Sequence, residues 1–66
     1  MIEASTVKDM VLKLRHRGLT QVQVAEQIGA SQATVSRWER GMFSGQADSL
    51  ARLIQLAKEH DLPVAP

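Results

Sequence analysis

The chain has 66 residues, a formal net charge of +1, no cysteine, and aromatic residues limited to Trp38 and Phe43. That length leaves no room for two cores, so residues 1–66 are read as one domain; so small a domain buries only ~60% of its unfolded surface and gains from partners. Lack of cysteine excludes a disulfide staple and a thiolate metal site and suits a reducing cytoplasm; no apolar run approaches a membrane span, and Met1-Ile2-Glu3 does not open a signal peptide.

The first predicted helix runs from about Thr6 to Arg17, with Ser5 or Thr6 as its cap. Asp9 suits its positive first turn, and Lys13, Arg15 and Arg17 suit its negative last turn. Val7, Met10, Val11 and Leu14 recur at i, i+3, i+4 and i+7 and form the inward stripe, and Gly18 ends the helix. The second helix spans about Gln21–Ile28. Thr20 caps it, and Gln23, three residues on, completes a capping box. Val24, Ala25 and Ile28 fall on one face, and Gly29 stands where the chain must turn through a left-handed conformation. Ser31 caps a third helix, about Gln32–Arg40. Residues 20–41 therefore read as helix, glycine-containing turn, helix.

Residues 41–48, GMFSGQAD, have two glycines and no apolar periodicity, which predicts a loop. Phe43 within it, beside Met42, forms either a lid on the core or part of a partner surface. A fourth helix follows a cap at Asp48 or Ser49 and continues to about His60, with Leu50, Leu53, Ile54, Ala57 and Leu56 available to close the core. The tail, about 61–66, cannot extend that helix past Pro63. With no convincing strand, the expected fold is all-α, a compact four-helix arrangement.

Helix 32–40 carries the most specific chemistry. At about 100° per residue, Val35 and Trp38 lie together on the inward side, while Ala33, Ser36, Arg37 and Arg40 share the opposite side with Gln32 at its edge. Amide, methyl, hydroxyl and guanidinium groups are the ones that read base edges: Arg pairs with guanine, Gln with adenine, and Ala touches a thymine methyl. Small Ala33 and Ser36 let the backbone approach a groove floor. Any helical bundle can show a polar outer face, but that does not account for the turn, the caps and an uncharged-polar stripe together. Trp38 beside Val35 reads as core, with an indole N–H that needs an acceptor.

These residues resemble the phage repressor and Cro-type helix-turn-helix family, also called xenobiotic-response-element-like. The likeness starts at Leu19-Thr20-Gln21, passes through Ala25, Ile28 and Gly29, and includes Ser36-Arg37-Trp38-Glu39-Arg40-Gly41. It resumes at Ser49-Leu50 and continues through Leu53 and Leu56-Ala57-Lys58 to Leu62. The resemblance implies that helix 32–40 is the recognition helix, with Gln32, Ala33, Ser36 and Arg37 facing bases. It likewise implies that Gln21, Thr34 and Arg40 face phosphates. The family's arginine in the first helix often pairs with the glutamate matching Glu39, which implies an Arg15–Glu39 bridge. The chain departs from the pattern in the short His16-Arg17 spacing before Gly18 and in a longer Met42–Asp48 loop without basic residues.

Charge is concentrated near this unit. Residues 13–40 hold Lys13, Arg15, Arg17, Arg37 and Arg40 against Glu26 and Glu39, whereas the segments on either side are each slightly acidic. Few basic groups serve phosphates, so a dimer on DNA is expected. Its candidate surfaces are Met42–Phe43 and the end of the fourth helix with Leu62 and Val64. His16 and His60 have no clustered partners, the serines lack a motif-placed histidine, and Gly41 and Gly45 lack the lysine of a phosphate loop. No catalysis, metal or cofactor is expected, and Arg52 and Lys58 read as solvated surface.

The expected function is sequence-specific binding of double-stranded operator DNA in a bacterial or phage setting, regulating transcription in the manner of Cro-like repressors, as a homodimer and away from membranes. An alternative is an antitoxin-type protein-interaction module that also binds its own promoter, with Met42, Phe43 or the C-terminus holding the protein partner. A nonspecific nucleoid-type binder is a third class.

Overall fold

The structure, a computed structural model, describes residues 4–43 and 47–60. Four helices follow one another: α1 (Ala4–His16), α2 (Gln21–Ile28), α3 (Gln32–Glu39) and α4 (Ala47–Glu59), with no strand among the described residues. The all-α expectation holds.

Helix α1 buries Val7, Met10, Val11 and Leu14, the stripe predicted from their spacing. Its start differs from the sequence reading. The helix begins at Ala4, so Ser5 and Thr6 lie inside it rather than ahead of it. Asp9 consequently falls beyond the first turn, where it pairs with Lys13 one turn on, at 2.9 Å. Gly18 at φ 103° ends the helix, with Gly18 N–H donating to Arg15 O and Leu19 N–H to Leu14 O.

Helix α2 has its expected bounds because both ends carry local chemistry. Gln23 N–H donates to Thr20 Oγ1 at 3.1 Å, and Thr20 N–H donates to Gln23 Oε1 at 2.8 Å. This is the capping box, satisfying two backbone donors reciprocally. At the other end Gly29 takes φ 68°, ψ 34°. Its N–H and that of Ala30 both turn onto Ala25 O, a Schellman-type closure.

Ser31, in extended conformation, caps α3 by accepting from Thr34 N–H at 3.2 Å. The helix ends one residue earlier than expected, with Arg40 as its cap. Met42 N–H returns to Arg37 O past Gly41 at φ 81°. Helix α4 starts at Ala47, before the expected caps. Asp48 thus sits in its first turn, favoured there by the helix dipole, and Ser49 is buried.

One core unites the four helices: the α1 stripe with Val24, Ala25, Ile28, Val35, Trp38, Leu53, Leu56 and Ala57. Leu50 and Ile54, expected in it, are only partly buried against it, and Leu56 goes deeper than either. Trp38 is fully buried. Phe43 closes over it, with ring centroids 5.2 Å apart and tilted by 53°, so within this chain Phe43 is a lid on the core. Met42 beside it stays 54% exposed. The Trp38 indole N–H finds no acceptor among the described residues. Leu62 and Val64 lie outside the described residues.

The packing leaves α3 in a particular place. Its backbone lies against α1 and α2 and stands off from that of α4 among the described residues, the two meeting only in the shared core. One side of α3 is therefore inside and the other is open.

Candidate nucleic-acid interface

Gln32 and Ala33 occupy the first two positions of α3 and are exposed; Ser36 and Arg37, one turn on, are half-buried. The four residues predicted to face bases thus come together on the open side of one helix. Arg40, expected toward phosphates, is exposed at the helix end, its Nε 3.4 Å from Ser36 O.

Thr34 is placed differently from the others. Only 3% of it is exposed. Its hydroxyl lies 3.1 Å from Ser31 Oγ and accepts from Arg37 Nη2 at 3.4 Å. The burial was legible in the sequence, since residue 34 is one turn before Trp38 and adjacent to Val35 on the same helical face. Thr34 therefore connects the N-terminal cap of α3 to the guanidinium on its outer side.

A polar network ties the open face to the scaffold. Glu39 Oε1 pairs with Arg15 Nη1, the bridge between α1 and α3 implied by the resemblance. Its other oxygen, Oε2, accepts from Gln21 Nε2 at 2.6 Å. Gln21 Oε1 in turn accepts from Gln32 Nε2 at 3.2 Å. The Gln21 amide thus works at both ends, donating to a carboxylate and accepting from another amide. Gln32 and Glu39 are seven positions apart, two helical turns, so both face the start of α2. Sequence reasoning placed Gln21 at the phosphates but missed this relay, which that spacing could have revealed.

The network has an electrostatic consequence. Of the five cations around the unit, Lys13 is paired with Asp9 and Arg15 with Glu39. Arg17, Arg37 and Arg40 carry no ion pair among the described residues. Two of these three lie on or at the end of α3. Glu39, the acid nearest the open stripe, is only 14% exposed and its charge is taken up by Arg15. The stripe itself is thus left neutral or positive, as an approach to phosphate-rich DNA requires.

Comparison with known proteins accords with this geometry. A family model described as Helix-turn-helix matches residues 12–65, which takes in α2, α3, α4 and the last five residues of α1. The chain belongs to the Cro/C1-type helix-turn-helix family. No curated protein and no solved structure gives a significant match. As a Cro/C1-type protein, the chain is a DNA-binding transcription regulator, in a family of regulatory rather than enzymatic domains. None of its described helices is long and apolar enough to cross a membrane. Helices α2 and α3 are the pair that gives the family its name, and Gly29 is the turn between them.

Proposed function

We propose that this Cro/C1-type protein is a sequence-specific operator binder that places α3 in the major groove and acts as a homodimer. The observation that carries the reading is the open face of α3. It bears exposed Gln32 and Ala33 with half-buried Ser36 and Arg37, and has its first amide held by Gln21. In this reading Arg37 and Gln32 pair with base edges, and Ala33 and Ser36 allow close approach. Gln21 and Arg40 meet phosphates on either side. Thr34 serves the same strand indirectly, by bracing Arg37 from its buried hydroxyl. A partly restrained side chain loses less rotamer freedom on binding, so the restraint on Gln32 and Arg37 favours affinity.

Homodimerisation follows from number. A single recognition helix reads few base pairs, and the unpaired cations offer few phosphate contacts. Two-fold pairing doubles both and sets the helices about 34 Å apart, one DNA turn. Exposed Met42, on the loop after α3, is a candidate contact between copies.

Selection of bound duplexes from a random library tests the reading. Enrichment of an inverted repeat with half-sites one helical turn apart is the expected result. Equal recovery of random sequence would replace it with nonspecific binding. Purification with a tightly held protein partner and no enriched duplex would replace it with the antitoxin-type interaction module.

A further inference from the structure

Three glycines among the described residues take positive φ: Gly18 at 103°, Gly29 at 68° and Gly41 at 81°. Their surroundings differ. A Cβ added at Gly18 meets nothing within 4 Å, and one at Gly41 meets only Lys8 Cδ at 3.8 Å, an ordinary contact. A Cβ at Gly29 collides with Arg52 Nη1 and lies 3.7 Å from Arg52 Cζ. The guanidinium of an α4 residue therefore occupies the volume that any side chain at position 29 would claim. Gly29 supplies the left-handed backbone that the turn requires, and the Arg52 guanidinium lies along its bare flank.

The placement has an electrostatic logic. Gly29 and Ala30 both direct their N–H groups to Ala25 O. Among the described residues no backbone amide meets the last carbonyls of α2, at the end of the helix where the dipole is negative. A cationic side chain suits that end. Arg52 shares the adjoining cleft with Gln27 of α2 and with Gln55, Leu56 and Glu59 of its own helix. The backbone of helix α4 lies against that of α2 but not that of α3. Apart from the core that it shares with α3, its hold on that helix runs through α1, α2 and the turn at Gly29, which Arg52 reaches.

We propose that Arg52 is a positioning residue for DNA binding: its guanidinium, seated over the bare Gly29, fixes the turn from which α3 departs. This role rests on the operator-binding reading and adds to it a residue outside the two helices that give the motif its name. Arg52 is exposed, as expected of a solvated surface residue; its contact with Gly29 joins residues so far apart in the chain that it leaves no periodic trace.

The test is a double-mutant cycle read by melting temperature and by DNA affinity. The variants are Gly29→Ala, Arg52→Ala, their combination, Arg52→Lys, and Gly18→Ala with and without Arg52→Ala. The displaced atom at Gly29 is the tip of a flexible side chain, so Gly29→Ala folds and loses the contact; Gly29→Asn, which tolerates the left-handed region, is the second variant. Gly29→Ala is expected to lower the melting temperature by several degrees more with Arg52 present than in the Arg52→Ala background. Gly18→Ala should cost the same in both backgrounds. Additive effects at positions 29 and 52 overturn the contact.

Affinity is measured on the duplex that wild type enriches from the random library, well below every melting temperature. Arg52→Ala should weaken binding by about threefold or more with the slope of log affinity against log salt unchanged, and Arg52→Lys should restore part of the loss. A slope reduced by about one shows a direct phosphate contact and overturns positioning. Unchanged affinity overturns it too. A wild type that enriches no duplex defeats the DNA reading and this role with it, an outcome told apart from a failed contact because the melting cycle uses no DNA.

Discussion

Gln21 Nε2 donates to Glu39 Oε2 across 2.6 Å, joining the first residue of α2 to the last residue of α3. Arg15 of α1 holds the other oxygen of the same carboxylate. One side chain thereby fixes α3 against both of the helices it packs on.

Removing that carboxylate should loosen α3 without unfolding the domain. Arg15 is 37% exposed and can return to water, so the loss is smaller than for a fully buried pair. Glu39→Ala is expected to destabilise the protein by ~1–2 kcal/mol. A cycle with Arg15→Ala, read by thermal melting, should show coupling that weakens in high salt. Strictly additive losses would mean that the bridge contributes nothing.

Arg37 and Arg40 should fail in different ways. Arg37 lies among the open-face residues and is braced by Thr34; its replacement by Ala should cost ~1–3 kcal/mol of operator affinity and relax preference at one base pair. Arg40→Ala should weaken all sequences alike and reduce the salt slope by about one. Competition among single-base operator variants distinguishes the two. Unaltered preference in Arg37→Ala would show that another face reads the DNA.

The aromatic lid offers a stability test away from DNA. Phe43 covers Trp38 at a tilted 5.2 Å contact. Phe43→Leu keeps apolar cover but removes the ring pair, worth ~0.5–1.5 kcal/mol beyond area. Phe43→Ala should cost more, and Trp38 fluorescence in the folded state should shift to the red as water reaches the ring. A Phe43→Ala protein with wild-type melting and emission would place Phe43 outside the core.

Elements were legible in the sequence where their chemistry is local. Thr20 with Gln23 and Gly29 mark both ends of α2, and the observed bounds agree to the residue. The α1 stripe was equally plain because its period belongs to one helix. Starts of α1 and α4 were misread because Ser5, Asp48 and Ser49 are good caps by type. Position overrides type there: Asp48 serves the first turn, and Ser49 is drawn inward with the helix face. At the interface, the open stripe follows from the helical period, as does the burial of Thr34. The Gln21 relay and the Arg52 contact depend on how separate helices meet, and no single-helix pattern encodes that.

Assembly provides the final prediction. Each domain presents one short helix, α3, for the proposed readout and, with Lys13 and Arg15 already paired, few cations for phosphates. A lone copy should hold DNA weakly and show only a shallow loss of affinity as salt rises, because it neutralises few phosphates. Two copies on a palindrome share the ordering cost of the complex and double the contacts, so a weak solution dimer becomes a stable one on DNA. Sedimentation with a half-site and with a full operator should show one chain on the first and two on the second, with the full site bound far more tightly. Replacing exposed Met42 by Lys should reduce that gain while leaving half-site affinity unchanged, if the loop after α3 forms the contact between copies. One chain per full operator, with no gain over the half-site, would rule out the dimer.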